Sequence, residues 1–235
     1  MIILYRKIRS RLRSLLYLPK FIMWGNAKIN TRHWTTSGFL LLGGRLYEGK
    51  ARGDYEPETT KLFNKEISNA KVFWDFGSNV GYYSILAAQR GITTYAFEIM
   101  NGLAKELSKH SKNNNLNIKV FNIPIGRKNQ TISYSDCYTS STKKAISIDE
   151  LSCGIPDLIK MDIEGGEYDA ICGGENLLRN HSPKLIIELN NNLSDCEAII
   201  NKLKEFGYDK KFDLDISIPD SHNRNAFFEK QKEYD

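Results

Sequence analysis

Short apolar runs that alternate with helical stretches from Lys71 onward predict an α/β fold with a mostly parallel, doubly wound sheet. Three observations carry this expectation. The alternation keeps βαβ spacing, which calls for crossover helices on both faces. Runs such as Leu185-Ile186-Ile187 are continuous rather than alternating, as in strands covered on both sides. A glycine turn joins strand to helix at Val72–Gly81, the kind of place where open α/β sheets bind ligands. In order, the expected strands are Val72–Phe76, Thr93–Phe97, Lys119–Ile123, Leu158–Asp162 and Lys184–Leu189. The expected helices between and after them are Tyr83–Arg90, Gly102–Lys112, Tyr168–Leu178 and Cys196–Phe206. Beyond Gly207, Phe212–Ile216 and Ala226–Phe228 read as two late strands, an antiparallel hairpin closing the sheet.

Composition supports a globular chain. Of 235 residues 41% are hydrophobic and 26% charged, enough to build a core without disulfide or metal staples. No apolar run approaches the roughly 20 residues of a membrane-spanning helix; Leu15–Leu18 stops at Pro19 and Phe39–Leu42 at Gly43 and Gly44. The four cysteines, Cys137, Cys153, Cys172 and Cys196, form no CxxC pair and have no histidine at ligand spacing. Free thiols in a reducing, cytoplasmic setting are expected, with no zinc site.

Charge divides the chain. The net charge is +5, yet residues 1–20 hold Arg6, Lys7, Arg9, Arg11, Arg13 and Lys20 with no acid. The basic balance belongs to this arm, so the main domain is not expected to bind nucleic acid. On a helix, Leu4, Ile8, Leu12 and Leu15 share one face and the basic residues take the rest. Such a helix can lie on an anionic membrane through residues 1–18, or pack its apolar stripe on protein. Residues 21–70 read as a lead-in and cap, with Trp24 and Trp34 and the strand-like Phe39–Leu42, and 71–235 as the main domain.

The stretch Val72-Phe73-Trp74-Asp75-Phe76-Gly77-Ser78-Asn79-Val80-Gly81 is the most informative. Gly77 permits the tight turn, Gly81 lets the helix pack close, and the amides of Ser78 to Gly81 face the ligand space. Asp75 lies inside the strand end, where a buried carboxylate demands a cationic or hydrogen-bonding partner. Glu98 ends the next strand about 20 residues beyond Gly77, where an acid takes ribose hydroxyls. A ribose-bearing ligand with a positive centre satisfies both acids, and S-adenosylmethionine (SAM) is of that kind. The rival is a dinucleotide, but its G-x-G-x-x-G pattern would need glycines where Asn79 and Tyr82 stand.

Downstream, Ser147–Leu151 precedes Ile159-Lys160-Met161-Asp162-Ile163-Glu164-Gly165-Gly166-Glu167. That strand brings Asp162, with Glu164 after it, to the sheet edge that carries Asp75 and Glu98. Glu167 has a second reading as an ordinary acid at a helix N-terminus. With Tyr55-Glu56-Pro57-Glu58-Thr59, the Asp75–Tyr83 turn, Ala96-Phe97-Glu98 and Pro183-Lys184-Leu185-Ile186-Ile187-Glu188, these motifs span residues 53–190. Together they resemble the FkbM family of class I SAM-dependent methyltransferases. The resemblance implies a Rossmann-like sheet of seven strands. It implies SAM held by Asp75, Gly77, Ser78, Asn79 and Gly81, by Tyr82 and Tyr83 after them, by Glu98, by Glu56 and by Gly126. It also implies methylation of a hydroxyl on a sugar, glycan or small metabolite. Pro124 and Arg127 depart from the family pattern, which commonly has a small residue and an acid there.

Methyl transfer to an alcohol needs a positioned nucleophile and a base within hydrogen-bond reach. Asp162 is the first candidate, Glu188 at the next strand end the second and Glu164 the third; each has an alternative role holding a lysine or backbone amides. No metal is required for this chemistry, because the sulfonium is already activated. Tyr55 and Glu56 read either as a cover over the cofactor or as the lead into a helix beginning at Pro57. His33 and His222 are placed to enter the site from flanking segments, and surface roles are the alternative. Two other classes stay open, an NAD(P)-linked oxidoreductase and a SAM-fold binding protein without catalysis.

Overall fold

In a computed structural model of the protein, the residues described are 21–24, 27–30, 55–135, 140–215 and 223–230. The chain divides into two compact units, Met1–Tyr55 and Glu56–Asp235. The first contains an antiparallel pair, β1 (Phe21–Trp24) with β2 (Ala27–Asn30), in which Phe21 faces Asn30 and Trp24 faces Ala27. The basic arm 1–20, the strand expected at Phe39–Leu42, Trp34, His33, Cys137, Ile216 and His222 lie outside the described residues. Among those described, no helix is long and apolar enough to cross a membrane.

The second unit starts with helix α1 (Pro57–Ile67). The sequence assigns this stretch to the lead-in, whereas here Phe63 and Ile67 are fully buried and Phe63 meets Phe73 edge-on at 5.1 Å. Strands β3 (Val72–Phe76), β4 (Thr93–Phe97) and β5 (Ile118–Phe121) follow, with α2 (Tyr82–Ala88) and α3 (Asn101–Asn113) between them. A hairpin of β6 (Thr131–Ser135) and β7 (Ser140–Lys144) comes next, then a 3-10 turn at Ile148–Glu150. The chain continues through β8 (Leu158–Met161), α4 (Glu167–Cys172), α5 (Glu175–His181), β9 (Lys184–Asn190), α6 (Cys196–Glu205), β10 (Tyr208–Leu214) and β11 (Asn223–Lys230).

Seven strands form one sheet in the order β10-β11-β9-β8-β3-β4-β5. The five strands from β9 to β5 are mutually parallel, and β11 runs antiparallel to both β9 and β10. From β3 the chain proceeds outward through β4 to β5 and later returns to the other side of β3 as β8. The carboxyl ends of β3 and β8 therefore flank the topological switch point, where such sheets open a crevice.

The two faces differ. On one, Trp74, Phe76, Phe97, Ile159, Met161, Leu185 and Ile187 form a continuous apolar layer with Ala170 and Ile171 of α4, Leu178 of α5 and Ile199 and Leu203 of α6. On the other, Phe73 packs under α1, but Asp75, Lys160 and Glu188 follow toward the carboxyl ends. The parallel register explains the grouping. Asp75 pairs with Lys160, and one step beyond the Met161–Ile187 pair Asp162 comes opposite Glu188. Period-two alternation then puts all four on one face.

The expected helix over Tyr168–Leu178 is two helices, divided where Gly173 packs on the Gly126 backbone and Gly174 on the Ile148 side chain. A Cβ on Gly173 would stand 2.3 Å from the Gly126 carbonyl oxygen, and one on Gly174 would meet Ile148 at 2.9 Å. The remaining expected elements stand where the sequence places them, to within one or two residues for the first five strands; β10 and β11 are longer than expected.

Candidate active site

The glycine turn after β3 is locked by backbone bonds. The amides of Gly77 and Ser78 both donate to the Phe97 carbonyl, at 2.9 and 3.1 Å, and Asp162 N–H donates to Phe76 O at 2.9 Å. Gly77 has φ +77°, and a Cβ there would lie 1.7 Å from the Asp162 carbonyl oxygen. Gly81, φ +88°, leaves room only for Leu107 of α3. Ser78 is buried, and its Oγ has no hydrogen-bond partner among the described residues. Asn79 holds a left-handed backbone, φ +51°.

Acids ring this turn at four adjoining strand ends. Glu98, after β4, accepts Asn79 N–H at 2.7 Å and Met100 N–H at 2.8 Å, and burial still pushes its carboxyl upward against these bonds. Asp75, on β3, accepts Ser84 Oγ–H at 2.5 Å. Burial raises Asp75 to about 6, opposed by Ser84 and Lys160 and helped by Asp162. Asp162 pairs with Lys160 Nζ at 3.1 Å. The ammonium is sealed while the Asp162 side chain is 23% exposed, so the carboxylate alone reaches the opening.

Lys160 is the residue the sequence reading passes over. It is buried at 2% exposure and lies 5.0 Å over the ring of Tyr83. Burial pulls its ammonium down, but Asp162, Glu56 and Asp75 outweigh that and hold it protonated, above its ordinary value. A lysine inside Leu158-Ile159-Lys160-Met161, a strand covered on both faces, was itself the signal, since a buried ammonium requires acids nearby.

Glu188 ends the row. Burial, then the Asp162 charge and a hydrogen bond with Asp162, push its carboxyl up to about 9. Glu164 turns back toward the pair from a left-handed backbone, φ +53°, and burial and Asp162 raise it too. Glu167 is not part of the opening. It is 1% exposed and accepts the amides of Ile163 at 3.1 Å and Gly165 at 3.1–3.2 Å, with Ser194 Oγ at 3.1 Å. Its role is to shape the loop that presents Glu164.

Glu56 and the tyrosines close the site beside α1. Tyr83 Oη donates to Glu56 Oε2 at 2.7 Å, and burial raises the hydroxyl of Tyr82, with Thr60 and Glu56 beside it. Glu56 is the residue before α1, yet it does not cap the helix with its side chain. Asp215, after β10, does so instead: it accepts the amides of Glu58 at 3.0 Å and Thr59 at 3.1 Å and the Thr59 hydroxyl at 2.5 Å. The helix start in the Tyr55–Thr59 motif thus holds, and Glu56 is tied to the site through Tyr83.

The structure brings together Glu56, Asp75, Gly77, Ser78, Asn79, Gly81, Tyr82, Tyr83, Glu98, Asp162, Glu164 and Glu188. It does not bring Gly126. That glycine is buried against Gln130, Ala145, Ile132 and Gly173 at the base of the β6–β7 hairpin, so its lack of a side chain serves packing. Arg127 beside it donates to Asp169 at 2.6 Å, away from the acids. Ser84, Lys160, Asn225 and Asp215 are the contributors that sequence reasoning missed.

This sheet order and switch-point site define a class I methyltransferase fold of Rossmann-like form. The chain belongs to the FkbM methyltransferase-domain family, whose model matches residues 49–210. It is similar in structure to methyltransferase FkbM from Methylobacillus flagellatus KT, with TM-score 0.53 and 21% identity over 68% of this chain and 43% of that one. It also resembles the Bacillus subtilis m1A22 tRNA methyltransferase TrmK, with TM-score 0.51 and 17% identity over 73% and 64% of the two chains. A third likeness is magnesium protoporphyrin IX methyltransferase (ChlM) from Synechocystis PCC 6803 with bound SAM, with TM-score 0.50 and 14% identity over 72% and 74%. The chain thus spans less than half the length of the Methylobacillus protein. No curated protein matches the sequence at a significant level.

Proposed function

We propose that the protein is a SAM-dependent O-methyltransferase acting on a hydroxyl of a sugar, glycan or small metabolite. The observation that carries this reading is the row of acids at four adjoining strand ends around a glycine turn, Asp75 and Glu98 buried and Asp162 and Glu188 partly exposed. Asp75 and Glu98 are raised by burial, and a cationic, ribose-bearing ligand would relieve both. Ser78 Oγ, buried and unpartnered among the described residues, supplies a polar contact for the same ligand. The residues present therefore fit SAM: Gly77, Ser78 and Gly81 as the cradle, Asp75 toward the ammonium end, Glu98 toward the ribose, and Glu56 with Tyr82 and Tyr83 as the wall.

When bound, SAM supplies a methyl group on a positively charged sulfur. The chain's own residues then have three tasks. Asp162, held by Lys160, accepts the proton of the attacking hydroxyl; its carboxylate is partly exposed while the lysine that holds it is sealed. Glu188, pushed up to about 9 by burial and Asp162 while no cation is bound, is hydrogen-bonded to Asp162 and in that state does not compete for the proton. The Gly77 turn and the β8 end, pinned together, fix the distance between cofactor cradle and base, on which rate depends steeply.

Titration of adenosylhomocysteine into the full chain, and incubation with labelled SAM and glycan, lipid and small-molecule fractions, test this. Adenosylhomocysteine should bind and NAD(P) should not. Mass spectrometry should find a methyl group on an acceptor oxygen. Asp162→Asn should keep adenosylhomocysteine binding and lose about 10²–10⁴-fold in turnover. Binding of NAD(P) in place of adenosylhomocysteine, or full turnover in Asp162→Asn, would overturn the reading.

A further inference from the structure

We infer that Asp162, Glu164, Glu188 and Asn225 form a site for a divalent cation with oxygen ligands, magnesium or manganese. One carboxylate oxygen from each of the three acids lies within 4.8 Å of the others. Oxygens bound to one ion at about 2.0–2.6 Å stand no farther apart than roughly 5 Å, so the three can share an ion. Acidic side chains crowd for other reasons too, and the crowding alone assigns nothing.

The independent observation comes from the antiparallel strand next to them. Asn225 of β11 is the direct cross-strand partner of Glu188, so its side chain stands on the same face in the row Asp162, Glu188, Asn225. It is 4% exposed, and its Oδ1 has no hydrogen-bond partner among the described residues. A buried amide oxygen left unsatisfied beside carboxylates is a poor arrangement for a closed protein and a good one for a cation.

Charge points the same way. Lys160 interacts with Asp162, Glu56 and Asp75, and Glu188 interacts with Asp162, Glu164 and that same lysine. Five acids thus surround one described cation. The ligand set is carboxylate and amide oxygen with no histidine or cysteine, which selects magnesium, manganese or calcium over zinc or copper. Glu164 is exposed, so the ion would be reached from solvent and would keep positions for water or acceptor oxygens. Its role follows from the reading above: an acceptor hydroxyl on the ion becomes more acidic, and two neighbouring hydroxyls can be held at once. That role rests on the methyltransferase reading, whereas the binding itself does not.

Free Mn²⁺ measured by electron paramagnetic resonance during titration of the chelator-treated full chain tests the binding. One ion per chain is expected, displaced by Mg²⁺. Glu164→Gln should weaken it tenfold or more, and Asn225→Leu several-fold, with circular dichroism confirming that both variants are folded. No stoichiometric Mn²⁺ in the millimolar range, or unchanged affinity in both variants, overturns the proposal. Adenosylhomocysteine titrated in chelator separates the two readings. If it binds while Mn²⁺ does not, the cation site alone fails; if neither binds to folded protein, both fail.

Discussion

Gly77 allows no extra carbon. Its backbone is left-handed, and a methyl would overlap the Asp162 carbonyl at 1.7 Å, an atom that cannot move without separating β3 from β8. Gly77→Ala should therefore give little folded protein and no adenosylhomocysteine binding. Gly91, with φ +79° and nothing within 4 Å of the place a Cβ would take, gives the contrast. Gly91→Ala should cost only about 1 kcal/mol of backbone strain, read by denaturant melting. At this scale the sequence was most legible where chemistry and position coincide. Asp75, Glu98 and Asp162 were readable because an acid at the end of an apolar strand needs a reason. Ser84 and Asn225 were not, since a serine in a helix and an asparagine in a strand are ordinary until the register shows what stands opposite them.

Helix α1 depends on a residue far along the chain. Glu56, the residue in the capping position, turns its carboxylate to Tyr83, and Asp215 satisfies the first-turn amides of Glu58 and Thr59. Asp215→Ala should lower stability by about 1–2 kcal/mol, the loss typical of an N-cap. A protein of this size would then melt about 2–8 °C lower by circular dichroism, with the Glu56–Tyr83 wall loosened and adenosylhomocysteine bound more weakly. Element type was legible wherever hydrophobic periodicity was strong, as in β3, β4, β9 and α6. It failed at α4 and α5, where apolar spacing runs on past Gly173 and Gly174 although the backbone contact with Gly126 ends the helix. The β6–β7 hairpin was illegible for another reason: Thr131–Ser135 and Ser140–Lys144 are mostly exposed, polar strands with little apolar pattern to read.

Across the molecule, the sheet carries an apolar layer on one face and a charged crevice at the carboxyl end of the other. The crevice sets how stability responds to pH. Glu188 rises from an ordinary 4.5 to about 9, and Asp75 from 3.8 to about 6. Below pH 4 folded and unfolded chains are both protonated at these groups, so their contribution is fully present. As pH climbs, the unfolded chain releases protons that the folded one retains, and stability falls until pH passes about 9. Thermal melts in chelator should show this decline between pH 5 and 9, and Glu188→Gln should flatten it. Each kcal/mol recovered by the variant at pH 9 should raise the melting temperature by about 2–4 °C. A wild-type profile that rises over this window would contradict the assignment. Sheet order and parallel direction followed from strand–helix alternation. The single row joining β8, β9 and β11 did not, because it depends on register, which alternation leaves open.

The cap on α1 also has a meaning for biosynthesis. Residues 57–67 leave the ribosome well before the carboxylate that secures them, which lies 156 residues beyond Thr59. Until that late segment emerges, the helix bordering the crevice has no anchor for its first turn. A polypeptide cut short before Asp215 would lack both that anchor and β11, whose Ala226 and Phe228 are fully buried, so the same late segment completes the crevice wall and the sheet.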